Sequence, residues 1–379
     1  MKIPGYAKYL IILAAVVLTA YVLIVAKSVL SPVLTALILA LLLHPVGSWL
    51  ERLKLPRGIS SILSIIFVVL VLAGLSYFFS SQVRSIARDI NTIETRFNSA
   101  IDQSSGWMES TLGIEPQEQL DYVKDSITTL LRGSTSFLTS TLSATAGFFT
   151  AFFLCILSLF FFLYYRKFFV AFMYRLFPIS KHEIVGTTVV KVEKVVQSYI
   201  LGLLTVILII GILNIVGLMV LGIEHAVFFG ALAAVLTVIP YIGVFIGSLL
   251  PILFALATKD SLWYPVGVAI LFWAVQFLEG NFITPNIVGG RVSINPFASI
   301  LALFFGGMIW GAIGMILSIP ILAIIKVICE VVEPLKPVGF LLGNPPDEYT
   351  LDSRKRRFRK IKKSRKKSAK EREMARQKA

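Results

Sequence analysis

The sequence predicts an all-α polytopic membrane protein with about eight transmembrane helices, counted from apolar runs of roughly 20 residues. Three observations predict it. The chain is 56% hydrophobic and only 15% charged, where a soluble globular chain carries about 25% charged residues. Its apolar residues gather in membrane-length runs. The basic residues between those runs fall on one side of a single consistent topology.

The first run, Tyr9 to Ala26, follows Lys2 and Lys8 as a secretory signal would. A second run, Val29 to Leu43, comes at once, where a mature polar sequence would be expected. The pair therefore predicts an uncleaved helical hairpin. The second run fills a span only with Ser28 and Pro32 included, and a proline near a helix start is tolerated. Ile59 to Ser80 is the third run, Thr141 to Tyr165 the fourth and Tyr199 to Leu221 the fifth. His225 to Ala257 is a long sixth, Leu262 to Leu278 the seventh and Phe297 to Val327 the eighth. Cys155 and Cys329 both lie in apolar runs and form no CxxC pair, so packing is their expected role. His44, His182 and His225 are scattered without metal-ligand spacing, and no cofactor is implied.

Orientation follows from the basic loops. Arg52, Lys54 and Arg57 cluster after the second run. The segment from Arg166 to Lys194 has six basic residues against two acidic ones. Both loops and the tail reach the cytoplasm if eight spans leave both termini inside a cell inner membrane. The insert from Ser81 to Ser140, with five basic and eight acidic residues, then falls outside. The division is therefore 1–80 for spans one to three and 81–140 for an extracytoplasmic helical insert. Residues 141–198 form the fourth span and a cytoplasmic amphipathic connector, 199–340 spans five to eight, and 341–379 a basic disordered cytoplasmic tail.

Within the insert, Val83, Ile86, Ile90, Ile93, Phe97 and Ile101 recur at helical spacing, Gly113 and Pro116 interrupt, and Leu120, Val123, Ile127 and Leu130 resume it. Two amphipathic helices joined by a turn are expected. The connector from Pro178 to Gln197 reads as a helix capped by Ser180 with Glu183 in a capping box. The tail from Arg354 carries net +13 of the chain's +15. With Phe358 as its lone aromatic it offers no stacking platform for nucleic acid, so anionic lipid is its expected partner.

The last three runs hold the chemistry. Pro240 removes a backbone hydrogen bond in mid-run, so the sixth helix should kink or break there, with Pro251 as a second break. Gly243 and Gly247 are a small-xxx-small pair that lets helices approach. The run is either one kinked span or two half-helices in a re-entrant hairpin. The seventh run ends in Gln276, Glu279 and Asn281, and Glu279 is the single carboxylate between Asp260 and Glu330. An ionised carboxylate in hydrocarbon costs at least about 2.5 kcal/mol, so it faces protein or water and marks a functional site. Gln276 and Glu279 share a helix face. Gly280 and Pro285 should end the helix, with Gly289 and Arg291 beyond. Glu279 either binds or titrates in transport, pairs with Arg291, or anchors the interface. In the eighth run Gly306, Gly307, Gly311 and Gly314 form an approachable face and Pro320 mirrors Pro240 as a kink. Paired broken helices point to a site between them. Asn214 in the fifth run is a further intramembrane polar candidate. No P-loop, dinucleotide fingerprint or nucleophile elbow occurs, so no enzyme activity is expected.

Several stretches together resemble the autoinducer-2 exporter family, also called PerM-like permeases. They are SPVLTALILALLLHPVGSWLERLKLPRGIS, then IPYIGVFIG with Pro251, then QFLEGNFITPNIVGGRVSINP, and last GGMIWGAIGMILSIPILAI. The resemblance implies about eight membrane helices, a large insert between the third and fourth, homo-oligomeric assembly and transport. It implies export of autoinducer-2 or, as in other members, of sodium or lithium against protons. Its hallmark positions fall on Pro240, Gly243, Gly247, Pro251, Gln276, Glu279, Gly280, Asn281, Pro285, Gly289 and Pro296. The fifth span departs from the family's Tyr-x-Arg-Gly-Gln opening: Tyr199-Ile200-Leu201-Gly202-Leu203 has leucine at both polar positions. The expected function is secondary export of a small polar molecule, with a cation/proton antiporter and a non-transporting scaffold with a recruiting tail as alternatives.

Overall fold

Apolar runs without clustered glycine and proline fold here as long single helices, and the runs that contain such clusters fold back on themselves. The computed structural model describes residues 5–88, 147–289 and 294–344. Among them the chain is helical, with no strands beyond one isolated bridge between Ile294 and Gly343. The expected insert helices from Ile90 to Leu130, Arg291 and the basic tail lie outside the described residues.

Helix α1 (Gly5–Val25) and α2 (Lys27–Arg52) are separate helices that meet at Ala26, and α1 leaves most of its side chains exposed in place of the expected packed hairpin. α2 runs past Pro45, which the sequence reading left outside the span. Proline has no N–H, so the Leu41 carbonyl loses its helical donor. Gln197 restores it, donating from Nε2 to that carbonyl at 2.8 Å. The same Nε2 donates to Glu193 at 2.9 Å, and the other partner of Glu193 is His44. Gln197→Leu should therefore orphan a part-buried carbonyl and lower stability by about 1 kcal/mol. Adding Pro45→Ala, which returns the donor, should recover most of that loss in a thermal-unfolding comparison of purified protein.

α3 (Arg57–Arg88) extends two turns beyond the expected third span, so Ile86 belongs to it. α4 (Gly147–Tyr164) packs Leu159 and Leu163 against Ala36, Ala40 and Leu43 of α2 and Ile65 of α3. A short α5 (Arg166–Arg175) then leads through a turn into α6 (His182–Val220), 39 residues long. The connector and the fifth span are thus one helix. The expected capping box is absent: Ser180 sits in a 3₁₀ turn, and Lys181 precedes the helix with no side-chain cap.

The sixth run is a hairpin. α7 (Ala226–Leu236) and α8 (Ile242–Thr258) are 11 and 17 residues long, about 16 and 25 Å, each short of a ~30 Å hydrocarbon core. They run antiparallel. Gly243 lies on Leu236, Gly247 on Ala233, and the Phe229 and Phe254 rings are 4.9 Å apart. The turn holds Tyr241 at φ 64, ψ −56, with the Ile242 N–H on the Pro240 carbonyl at 2.7 Å. That is a γ-turn of the strained kind. Pro251 makes no second break and is buried inside α8.

α9 (Trp263–Leu278) continues through two π-helical turns, Glu279–Ile283 and Pro285–Gly289. Gly280 and Pro285 therefore do not end the helix. A π-turn bonds each N–H five residues back, and the Thr284 N–H reaches the Glu279 carbonyl in that way.

The eighth run does not cross as one helix either. Gly311 has φ 64, ψ −141, which a side chain would oppose, and the chain reverses there. On a straight helix residues 306 and 314 would stand ~12 Å apart. Instead a Cβ on Gly306 would lie 2.5 Å from the Gly314 carbonyl oxygen. Ala298 and Ala323 share one buried cluster. The helical stretch α10 (Pro296–Val331) is thus two antiparallel arms, 296–310 and 312–331. The turn is at Gly311 and not at Pro320, which is buried within the second arm. The Trp310 indole N–H ties the tip to the Leu23 carbonyl at 2.9 Å. At the open end Asn295 caps the first arm by accepting from the Ala298 N–H at 2.7 Å. Its amide also donates to the Leu341 carbonyl of α11 (Lys336–Leu342).

Among the described residues, six helical stretches are long and apolar enough to cross a membrane, α10 among them by total length. α1, at 21 residues, reaches ~31 Å. Setting aside the folded α10 and adding α1 leaves, among the described residues, six helices able to cross and two hairpins, where the sequence predicted eight crossings.

Candidate functional site

The first hairpin packs on the C-terminal half of α6, where small residues admit close contact. A Cβ on Gly230 would lie 2.6 Å from the Ile215 nitrogen, and one on Gly211 would lie 3.3 Å from Ala234. α9 runs antiparallel to α6, with Leu271 over Gly217 and Val288 over Gly202. The helices α6, α7, α8 and α9 leave a pocket between them, ≈ 260 Å³ counting the open space at its mouth. Its wall is Ile210 and Asn214 from α6, Ala233 from α7, Thr237 from the hairpin turn and Val244 from α8. Phe272, Val275, Gln276 and Glu279 complete it from α9.

Glu279 is half-buried at this pocket. It does not sit at the end of its span. The helical path from Trp263 to Gly289 is 27 residues long, which puts Glu279 ~24 Å from one end and ~15 Å from the other. Both carboxylate oxygens are held by neutral donors. Gln276 Nε2 donates to Oε2 at 2.5 Å and Thr284 Oγ1 donates to Oε1 at 2.6 Å. Each oxygen keeps a lone pair for a further donor. Across the pocket Asn214 is 2% exposed, and its Oδ1 has no hydrogen-bond partner in the protein. A buried amide oxygen left unpaired costs free energy, so the wall displays an unmet acceptor beside an oriented carboxylate.

Of the sequence-predicted polar residues, Glu279, Gln276 and Asn214 come together here. Asn281 does not line the pocket. It is exposed and donates to the Phe277 carbonyl of its own helix at 2.9 Å. Gly280 and Gly289 meet nothing within 4 Å of a built Cβ. Pro240, Gly243 and Gly247 shape the first hairpin. Gly307, Gly311, Gly314 and Pro320 belong to the second, which packs on the N-terminal half of α6 through Leu317 and Val196 and contributes nothing to the pocket wall. Thr284 and Thr237 were missed. Thr284 follows Glu279 by five residues, a spacing that joins side chains only on a π-helix.

A family model for AI-2E family transporters matches residues 10–333. The chain belongs to the AI-2E transporter family. Among its relatives in that family, YueF of Bacillus subtilis, described as a candidate transport protein, is 29% identical over 311 residues, covering 78% of this chain and 82% of its own. MT0215 of Mycobacterium tuberculosis, described likewise, is 29% identical over 330 residues, covering 83% and 86%. A candidate transport protein of Haemophilus influenzae is 25% identical over 363 residues, covering 90% and 96%. The AI-2E match runs from within α1 to just past the end of α10. It makes this chain a multi-pass membrane protein of a transporter family.

Proposed function

We propose that the protein is a secondary transporter that exports a small polar solute across the cell inner membrane, with both termini cytoplasmic, and that the Glu279 pocket is its solute site. One observation carries this reading. An oriented carboxylate and an unpartnered amide oxygen face each other well inside the span, under the tip of a helical hairpin. Irregular backbone at membrane depth is tolerated beside protein or a wet cavity, and the Thr237–Tyr241 turn is such backbone. The solute supplies hydrogen-bond donors to Asn214 and Glu279. Phe272, Val275 and Val244 cover its apolar parts. The hairpin turn is the gate on that side, and its strained Tyr241 keeps the closed and open forms near in energy. The energy source is an ion gradient or the solute's own gradient. Autoinducer-2 is the first solute to try, by family.

The test is flux in proteoliposomes. Glu279→Gln keeps the shape and removes the charge. Export should fall roughly ten- to hundredfold, the worth of one hydrogen bond to a charged group, ~1.5–3 kcal/mol. Equal flux in both proteins would remove Glu279 from the mechanism. Sodium flux driven by an imposed pH gradient, present in wild type and lost in the variant, would assign an antiporter instead. Deleting residues 354–379 should leave flux intact, whereas a scaffold would lose its role.

A further inference from the structure

The helix α5 has no buried residue, yet it carries three phenylalanines, a methionine and a tyrosine in ten positions. Its four side-chain rows, each spaced by four residues, differ in kind, and Phe169 and Met173 form an exposed apolar one. Arg166, Val170 and Tyr174 form a half-buried row against the protein. Arg166 Nη2 donates to Glu51 Oε2 at 2.6 Å, and Tyr174 lies over Gly186, where a Cβ would stand 2.5 Å from its hydroxyl. Lys167, Ala171 and Arg175 form an exposed row bearing two cations. Phe168, Phe172 and Leu176 form a third row, also exposed, with Phe168 at 67%. No acid occurs from Arg166 to His182.

The Phe168 row continues a surface that already belongs to the membrane. Phe161 stacks on Tyr165 at 6.0 Å, and Tyr165 meets Phe168 at 6.4 Å. The outward face of the spanning helix α4 therefore passes without a break onto α5. A tyrosine pair at this junction, Tyr164 and Tyr165, is the composition of a membrane–water boundary. A helix with aromatic residues on one face and cations on the next lies in the plane of that boundary.

We propose that α5 is an interfacial helix that docks on anionic phospholipid, with Phe168 and Phe172 in the acyl layer and Lys167 and Arg175 on headgroup phosphates. The occupant is the lipid leaflet on the side of the Arg166–Glu51 pair. The surface is separate from the basic tail and from the Glu279 pocket, so it stands or falls independently of the transport reading. It also fixes the start of α6, since Tyr174 rests on that helix at Gly186.

The test uses the full chain with Cys155→Ala and Cys329→Ala, reconstituted in phosphatidylcholine vesicles with and without phosphatidylglycerol. Nitroxides are placed one at a time at Phe168→Cys, Phe172→Cys and Ala171→Cys. The first two should collide with oxygen and be shielded from a water-soluble nickel chelate, at a depth of about 5–10 Å. The label at 171 should be reached by the chelate. In parallel, a photoreactive phosphatidylglycerol should label the peptide spanning residues 166–181, read apart from the tail. Lys167→Gln with Arg175→Gln should cut that labelling by about fivefold per residue removed. Chelate access at 172 equal to that at 171 would overturn the proposal. So would labelling unchanged by the double variant, or spin–spin broadening at 172, which would show a second copy of the chain on this face.

Discussion

Gly243→Ala is expected to force the first hairpin apart and abolish transport. A Cβ at this position would lie 1.6 Å from the Leu236 carbonyl oxygen and 2.3 Å from its carbon. Both are backbone atoms, so no rotamer change relieves the clash. The arms must separate by more than an ångström close to the turn that carries Thr237. Overpacking of this kind costs about 3 kcal/mol, and here it also moves a wall of the pocket. Thermal unfolding of the purified protein should show a clear loss of stability, with flux in vesicles near background. Gly280→Ala is the matched control. Nothing lies within 4 Å of a Cβ there, and alanine favours helix over glycine by up to about 1 kcal/mol. Its stability should stay level or rise. Equal behaviour of the two variants would show that the close contact between α7 and α8 does not hold the hairpin.

Asn214→Leu should move stability and transport in opposite directions. The Asn214 oxygen is buried without a partner. A leucine of similar size removes that unmet acceptor, so the protein should gain up to about 1–3 kcal/mol. The pocket then loses its only polar group on α6, and export should fall at least tenfold, about 1.4 kcal/mol of binding. A variant both more stable and fully active would show that Asn214 serves neither packing nor solute. One that is less stable would show that its amide is satisfied in the membrane by something other than cargo.

The crossing helices were legible because length and hydropathy are local properties. α2, α3, α4 and α9 can be read directly from apolar runs between charged loops. The reversals were not equally legible. Pro240 announced a break in the sixth run, and the run's length left room for a hairpin. Gly311 announced nothing, because a glycine among Gly306, Gly307 and Gly314 looks like one more small packing residue. Only its backbone angles, set by the contact of Gly306 with Gly314, make it a turning point. Pro251 and Pro320 misled for the opposite reason: both are buried in continuous helices. In the site, Glu279 and Gln276 stood out as polar residues on one face of an apolar run. Asn281 was misplaced because the sequence reading ended the helix at Gly280. The π-turn continues it and swaps the partner, bringing Thr284 to the carboxylate.

Two hairpins in place of two crossings have a consequence for the compartments. Each hairpin returns the chain to the side from which it came, so on the proposed topology the two changes cancel and the end of α10 keeps its side. Only the stretch between them is inverted. Lys259 and Asp260 move to the face opposite the amino terminus, and the link after Gly289 moves to the face of the amino terminus. A thiol reagent that cannot permeate lipid, applied to oriented vesicles carrying Asp260→Cys with the native cysteines removed, should react from the far face. Charge counting of the other loops is blind to this inversion, since every other loop keeps its place.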